Sequence, residues 1–331
     1  MGWFTVFWLS LLFLAGAIGS PLSSDPAMAQ AEDNYTFVAM WGTRGAGPGE
    51  FEGPFDIAVD SEGFVYVTDA GNRRVQKFTP DGTFIHQWGN QGNVSAGFRK
   101  PTGLAVGPDN TIVVADYLAD TIQVFTRDGL FLSRWGRSGH GPGELDSPAG
   151  LAVSADGMVY VADEYNFRIQ KFTLEGRFLL AWGKKGKVNV LVSALNFLWP
   201  EDRDGDLYYP ARVAVGPDNL VYVADSYNNR VQVFTPDGAF VRKWGGLGFW
   251  RGRFRVASDI AFDSHGHVLV ADFYNNRIQV FERNGRYVTQ FGESGSEPGQ
   301  FDGPTGLAVG PTGDLYVADF HNHRIQRFRL P

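Results

Sequence analysis

Residues 65–78 read VYVTDAGNRRVQKF: an apolar run ending in Asp69, a short turn carrying Asn72, and a second run opened by Arg74. Two five-residue runs rich in Val, Tyr and Phe, joined by a tight polar turn, describe a pair of antiparallel strands. The stretch returns as IVVADYLADTIQVF at 112–125, VYVADEYNFRIQKF at 159–172, VYVADSYNNRVQVF at 221–234, VLVADFYNNRIQVF at 268–281 and LYVADFHNHRIQRF at 315–328. The Asp ending the first run falls at 69, 116, 163, 225, 272 and 319, in steps of 47, 47, 62, 47 and 47. A constant period in the forties, enlarged once by 15, predicts one supersecondary unit repeated six times.

Around this pair each unit holds two more runs. Upstream lies a short apolar stretch such as Pro101-TGLAV or Pro304-TGLAV, and downstream a run ending at Trp88, Trp135, Trp182, Trp244 or Phe291. We letter the four strands a to d. Asp-Gly and Pro-Asp-Gly turns join a to b and c to d, as at Pro80-Asp-Gly82 and Pro236-Asp-Gly238. These residues supply the backbone angles that hairpins need. Four short strands per unit predict an all-β propeller of six four-stranded antiparallel blades. The sixth unit ends after strand c, whereas Thr36–Trp41 reads as an unclaimed strand d. An open ring leaves unpaired edges, so Thr36–Trp41 is expected to pair with 324–329 and close the ring.

The motif of VYVAD, a turn with Asn, and RIQxF resembles the NHL-repeat family of six-bladed propellers, and the resemblance covers residues 36–331. It implies the propeller fold specifically. For function it implies a range: RNA-binding domains, extracellular sensor domains, secreted proteins and a peptide-amidating lyase. Fold alone does not choose among these. Residues recurring in nearly every blade are expected to be scaffold, with blade two departing at Ala119-Asp-Thr121. A buried Asp at the end of strand b accepts backbone N–H groups, with Arg bridging to it, and the strand-d Trp fills the space between blades.

Composition narrows the range. The chain has 331 residues, 20% charged and 15% aromatic, with no Cys and a net charge of −7. Thiol catalysis, disulfides and Cys-ligated metals are excluded, and nucleic acid is disfavoured as a partner. Residues 3–18 are uninterrupted apolar or small, followed by Gly19, Pro21 and Ala27-Met-Ala29. Residues 1–29 therefore read as a signal peptide, with export to a periplasmic or extracellular site. The alternative is a membrane anchor over residues 3–18, the only contact with a membrane that the sequence suggests.

Individuality is concentrated in the b–c and d–a loops, which share one rim of such a blade, and that rim is the candidate binding face. The opposite rim holds the acidic Asp-Gly turns. The loop rim carries Arg99, Lys100, Lys184, Lys185, Arg251, Arg253 and Arg255, with Trp250 among them. The enlarged d–a loop, 184–210, adds Trp199 and other apolar residues. At the channel mouth, the third residue of strand a is Gly in three blades and Asp56, Arg212 or Asp259 in the others. These three are expected either to pair with one another or to form a polar ring for an axial ligand. Tyr165, Tyr227, Tyr274 and His321 occupy the second position of their b–c turns. Aromatic groups beside a charged ring suit a protein, peptide or glycan partner.

The reading leans against an enzyme. The lyase to which the resemblance points holds zinc with three His, whereas here His321 and His323 share one turn and no His precedes a strand a. No cofactor is expected. The alternative is a divalent ion, Ca or Zn, held by Asp56 and Asp259 in a lyase- or lactonase-type enzyme. Asp202-RDG-Asp206 resembles an oxygen-rich calcium loop, but its Gly stands at the fourth position and no bidentate Glu follows.

Overall fold

The computed structural model describes residues 35–89, 96–186 and 203–330. The expected export segment 1–29 and Trp199 lie outside the described residues. Six four-stranded antiparallel sheets stand around one axis. In blade one the strands are Pro54–Val59 (a), Val65–Asp69 (b), Arg74–Phe78 (c) and Phe84–Trp88 (d). The remaining innermost strands are Pro101–Val106, Pro148–Val153, Pro210–Val215, Ala257–Phe262 and Pro304–Val309. Each packs on the next, and the last packs on the first, so the ring is closed.

Closure follows the expected route. Thr36–Trp41 pairs antiparallel with Arg324–Arg329, Thr36 opposite Arg329 and Trp41 opposite Ile325, with one bulge between Phe37 and Ala39. The sixth blade thus takes its outermost strand from the start of the chain.

The core lies between blades. Phe51, Ile57, Val65, Val67 and Phe78 of the first blade bury against Ala308, Tyr316, Ala318 and Ile325 of the sixth. Each fully buried Val, Ile or Phe among them contributes roughly 1.5–3 kcal/mol. The strand-d Trp residues pack as expected. Trp41 lies against Gly82 in the c–d turn of the next blade, so close that a Cβ there would stand 2.5 Å from the indole, and Gly82 has φ +88°. Gly82 is thus required both for its backbone angle and for its missing side chain. Blade six has no c–d turn for Phe291 to meet. Tyr35, just before the closing strand, stacks on Phe291 instead, with ring centroids 5.0 Å apart.

The recurring Asp is the hub of each b–c turn. Asp69 Oδ1 accepts the Glu52 N–H at 2.8 Å, while Oδ2 accepts from Asn72 and Arg74, each at 2.8 Å. Arg74 also donates to the carbonyls of Ala46, Gly47 and Glu50, which ties the d–a loop to the b–c turn on the same rim. Asp163, Asp225, Asp272 and Asp319 repeat the arrangement. Gln76 completes it, spanning the Glu50 carbonyl, the Gly49 N–H and Asp69. Blade two has Thr121 where Arg stands elsewhere, and Asp116 there accepts the N–H groups of Arg99 and Lys100.

Candidate functional site

Successive residues of the six strands a build the channel in layers. The second residue of each, Phe55, Thr102, Ala149, Ala211, Ser258 and Thr305, lines a cavity of about 280 Å3 that opens on the loop rim. The third residues form its floor. Gly103, Gly150 and Gly306 leave space there, and a Cβ on Gly150 would stand 2.8 Å from Arg212 Cδ. Through that space Arg212 crosses the axis. Its Nε lies 2.8 Å from Asp259 Oδ1 in the neighbouring blade, and its Nη1 pairs with Asp56 in the blade opposite. All three are buried.

Each carboxylate has further partners. Asp56 accepts the N–H groups of Ile57 and Leu104, and Asp259 those of Ile260 and Leu307. Burial pushes both acids up, against the opposing pull of Arg212, with Asp259 reaching about 7. The two acids hold the Arg212 guanidinium above its ordinary value although burial opposes this. The three expected floor residues therefore do come together, and they satisfy one another. A divalent ion shared by Asp56 and Asp259 does not fit, because the fixed guanidinium already lies between their oxygens.

The upper wall comes from the b–c turns and the residues just before strand a. Tyr117, Glu164, Ser226 and Phe273 each open a b–c turn and line the cavity, with Lys100, Tyr209 and Val256 from the d–a loops. Tyr209 and Val256 adopt left-handed backbone angles, φ 51° and 68°. Tyr165 and Tyr227 pack on the Tyr209 ring at 5.2 and 5.1 Å, and Tyr274 packs on Phe273 at 4.8 Å. Tyr227 and Tyr274 are nonetheless 58% and 59% exposed, so they present aromatic surface at the rim. Burial raises the Glu164 acid to about 7, although a hydrogen bond with Tyr117 and the charge of Lys100 act to lower it.

The other expected residues are placed outside this cup. His321 lines a neighbouring cavity of about 570 Å3 with Arg73, Arg99, Lys100 and His323. Lys184 stands 3.8 Å from Asp206, and Lys185 lies over the Phe167 ring. Of the possible calcium loop, Asp204 pairs with Lys243 at 2.9 Å and Asp206 faces Lys184, while Asp202 is outside the described residues. Trp250 is 68% exposed and packs at a tilt against Phe249, ring centroids 4.3 Å apart. Beside them Arg253 donates to the Gly245 carbonyl, and Arg251 and Arg255 lie over Tyr287 and Tyr274.

Sequence reasoning missed Glu164, Tyr117 and Tyr209. Glu164 carried a signal: among Ala70, Tyr117, Glu164, Ser226, Phe273 and Phe320, which open the six b–c turns, it is the one carboxylate. A second omission lies on the opposite rim. The a–b turn of blade five brings one ligand atom each of Asp263, His265 and His267 within 4.8 Å of one another. Asp263 is otherwise engaged: Oδ1 accepts the N–H groups of His265 and His267, and Oδ2 meets the Tyr35 hydroxyl and His267 Nδ1.

The profile of the NHL repeat matches at 51–78, 98–125, 145–172, 207–234, 254–281 and 301–328. Among curated proteins, RING finger protein nhl-1 of Caenorhabditis elegans is 41% identical over 59 residues, 18% of this chain and 6% of that protein. NHL repeat-containing protein 3 of Homo sapiens is 43% identical over 47 residues, 14% of either chain. The matched stretches thus span less than a sixth of these relatives. Among solved structures, a streptogramin B lyase superposes with a TM-score of 0.61 at 15% identity, over 92% of this chain and 100% of that one. That likeness is one of fold.

Proposed function

The chain belongs to the NHL-repeat family, and from that premise we propose that it is an exported binding module that holds a peptide, glycan or protein on its loop rim. The axial cup is the primary site. One observation carries the reading: the floor charges Asp56, Arg212 and Asp259 are spent on each other, while Tyr165, Tyr227 and Tyr274 turn open aromatic surface to the entrance. Chemistry needs a group free to act on a substrate, whereas recognition needs rigid walls with open faces. The exposed Phe249–Trp250 pair, flanked by Arg251, Arg253 and Arg255, supplies an outer contact for a larger partner.

A metal-dependent enzyme is the second reading, favoured by the Asp263, His265 and His267 grouping. Screening the purified protein against peptide and glycan arrays tests the first reading. Binding is expected for the parent and lost in the triple variant Tyr165→Ala, Tyr227→Ala, Tyr274→Ala with its melting temperature preserved. Array binding indifferent to all three changes rejects the cup. One tightly held ion per chain, lost in His265→Ala and in His267→Ala, moves the assignment to the second reading.

A further inference from the structure

The cup described above has a sign. Glu164 stands in its wall and hydrogen-bonds Tyr117. Its charge also reaches Tyr209 and Tyr227, whose hydroxyls it helps to raise. Around it lie Lys100 from the loop before blade two, Asp146 from the loop before blade three, and the Asp56–Arg212–Asp259 floor. Four carboxyl groups, Glu164, Asp146, Asp56 and Asp259, thus stand in or around the cup against two cations, Lys100 and Arg212.

The walls act in the same sense. Aromatic faces carry negative electrostatic potential and attract ammonium groups. The cup already contains an instance of that contact, because the Lys100 ammonium lies 4.9 Å from the centre of the Tyr117 ring. Next to Glu164, the rings of Tyr165, Tyr209 and Tyr227 form a second aromatic wall whose outer members are exposed, and Tyr165 also hydrogen-bonds Tyr117. Among the described residues no side-chain cation lies over these three rings. A cavity of about 280 Å3 suits a head group more than a whole peptide or sugar chain.

We propose that the axial cup takes a protonated or quaternary amine of its ligand, seated against the Glu164 carboxylate between the rings of Tyr165, Tyr209 and Tyr227. The proposal rests on the cup being the binding site and adds the chemical class of what enters it. Seating a cation favours the ionised form of Glu164, so binding releases a proton wherever the free acid is partly protonated. Affinity therefore rises with pH through neutrality and levels off once Glu164 is ionised in the free protein.

Choline chloride and n-butylammonium, with 3,3-dimethylbutanol as the neutral shape control, are the probes, titrated into the purified protein by calorimetry. At least one cation is expected to bind saturably, and at least about tenfold more tightly than the alcohol. Its affinity should gain about tenfold from pH 6 to pH 8. Glu164→Gln should weaken cation binding by about tenfold at pH 8 and make its pH dependence markedly shallower, with an unchanged melting temperature. Tyr227→Leu is the second variant and should weaken binding at both pH values. Equal affinity for the alcohol, Glu164→Gln binding as tightly as the parent, or saturable binding of neither cation overturns the proposal. If the cations fail while an array ligand still depends on the three rim tyrosines, the amine assignment falls and the cup stands. If neither binds, both fall.

Discussion

Arg212 of blade four reaches across the channel to Asp56 of blade one, the blade diametrically opposite, and holds Asp259 of blade five on the way. A single guanidinium therefore braces three blades at the point where they converge. Replacing Arg212 by Met leaves two buried carboxyl groups without their cation, and we expect a loss of about 3–5 kcal/mol at pH 8 in urea denaturation. At pH 5 the loss should be smaller, because both acids can then be protonated. The sign for the parent follows from the raised Asp259. The native state retains protons that the unfolded chain has released, so this group's contribution to stability declines as pH rises from about 4 to about 7. A penalty for Arg212→Met that is the same at both pH values contradicts this account.

The closing strand should dominate stability. A chain beginning at residue 43 lacks the pairing of Thr36–Trp41 with Arg324–Arg329 and exposes Phe328 and Ile325 at a sheet edge. Its melting temperature is expected to fall far below that of a chain beginning at residue 35, with aggregation on heating. Coincident melting curves contradict the role assigned to this strand.

Val256 is a β-branched residue at φ 68°, where blades one and six have Gly53 and Gly303. A left-handed angle costs a residue with a side chain about 1–2 kcal/mol. Val256→Gly is expected to be neutral or stabilising by up to about 1 kcal/mol in thermal unfolding, against the usual direction for a glycine substitution.

Two equivalent tryptophans should respond differently. Trp135 Nε1 donates to the Leu174 carbonyl at 3.1 Å, whereas Trp244 Nε1 is buried with no acceptor among the described residues. Trp135→Phe should cost about 1–3 kcal/mol. Trp244→Phe also removes an unpaired donor and should change stability by less than about 1 kcal/mol. Denaturant midpoints of the two variants decide the matter.

The outer basic loop gives a binding prediction that leaves the fold alone. Arg251, Arg253 and Arg255 have no carboxylate partner among the described residues, and changing all three to Glu should leave the melting temperature within a few degrees. Pull-down of a protein partner should be lost. Intact capture by the triple variant removes this loop from the interface.

The fold was legible because its chemistry is repeated. The Asp recurs in all six units and the Asn and Arg in five, at fixed offsets, and such a network can close only if successive copies face the same way. Gln76 and its equivalents recur as faithfully, yet their role stayed hidden, because a glutamine inside a strand does not announce which carbonyl it will find. The floor was half legible. Asp56, Arg212 and Asp259 stand out against three glycines, but only the ring geometry shows that Arg212 meets both acids at once. Glu164 and Tyr209 are less legible because Glu164 stands between the repeated Asp163 and the aromatic Tyr165, and Tyr209 lies in a d–a loop whose sequence does not repeat. His265 and His267 read as hairpin residues, and the folding of the turn around Asp263 is what gathers them.

The bond between the Thr36 hydroxyl and the Arg329 carbonyl joins positions 293 residues apart. The strand that closes the ring lies before the first blade and its partner in the sixth, so each keeps an unpaired edge until both are present. A chain truncated within the sixth blade is then expected not to reach the native ring, and closure should come late in folding. The same circularity makes the location of the ends arbitrary: joining them by a short tether and opening any Asp-Gly bend should yield a rearranged gene whose product is the same wheel.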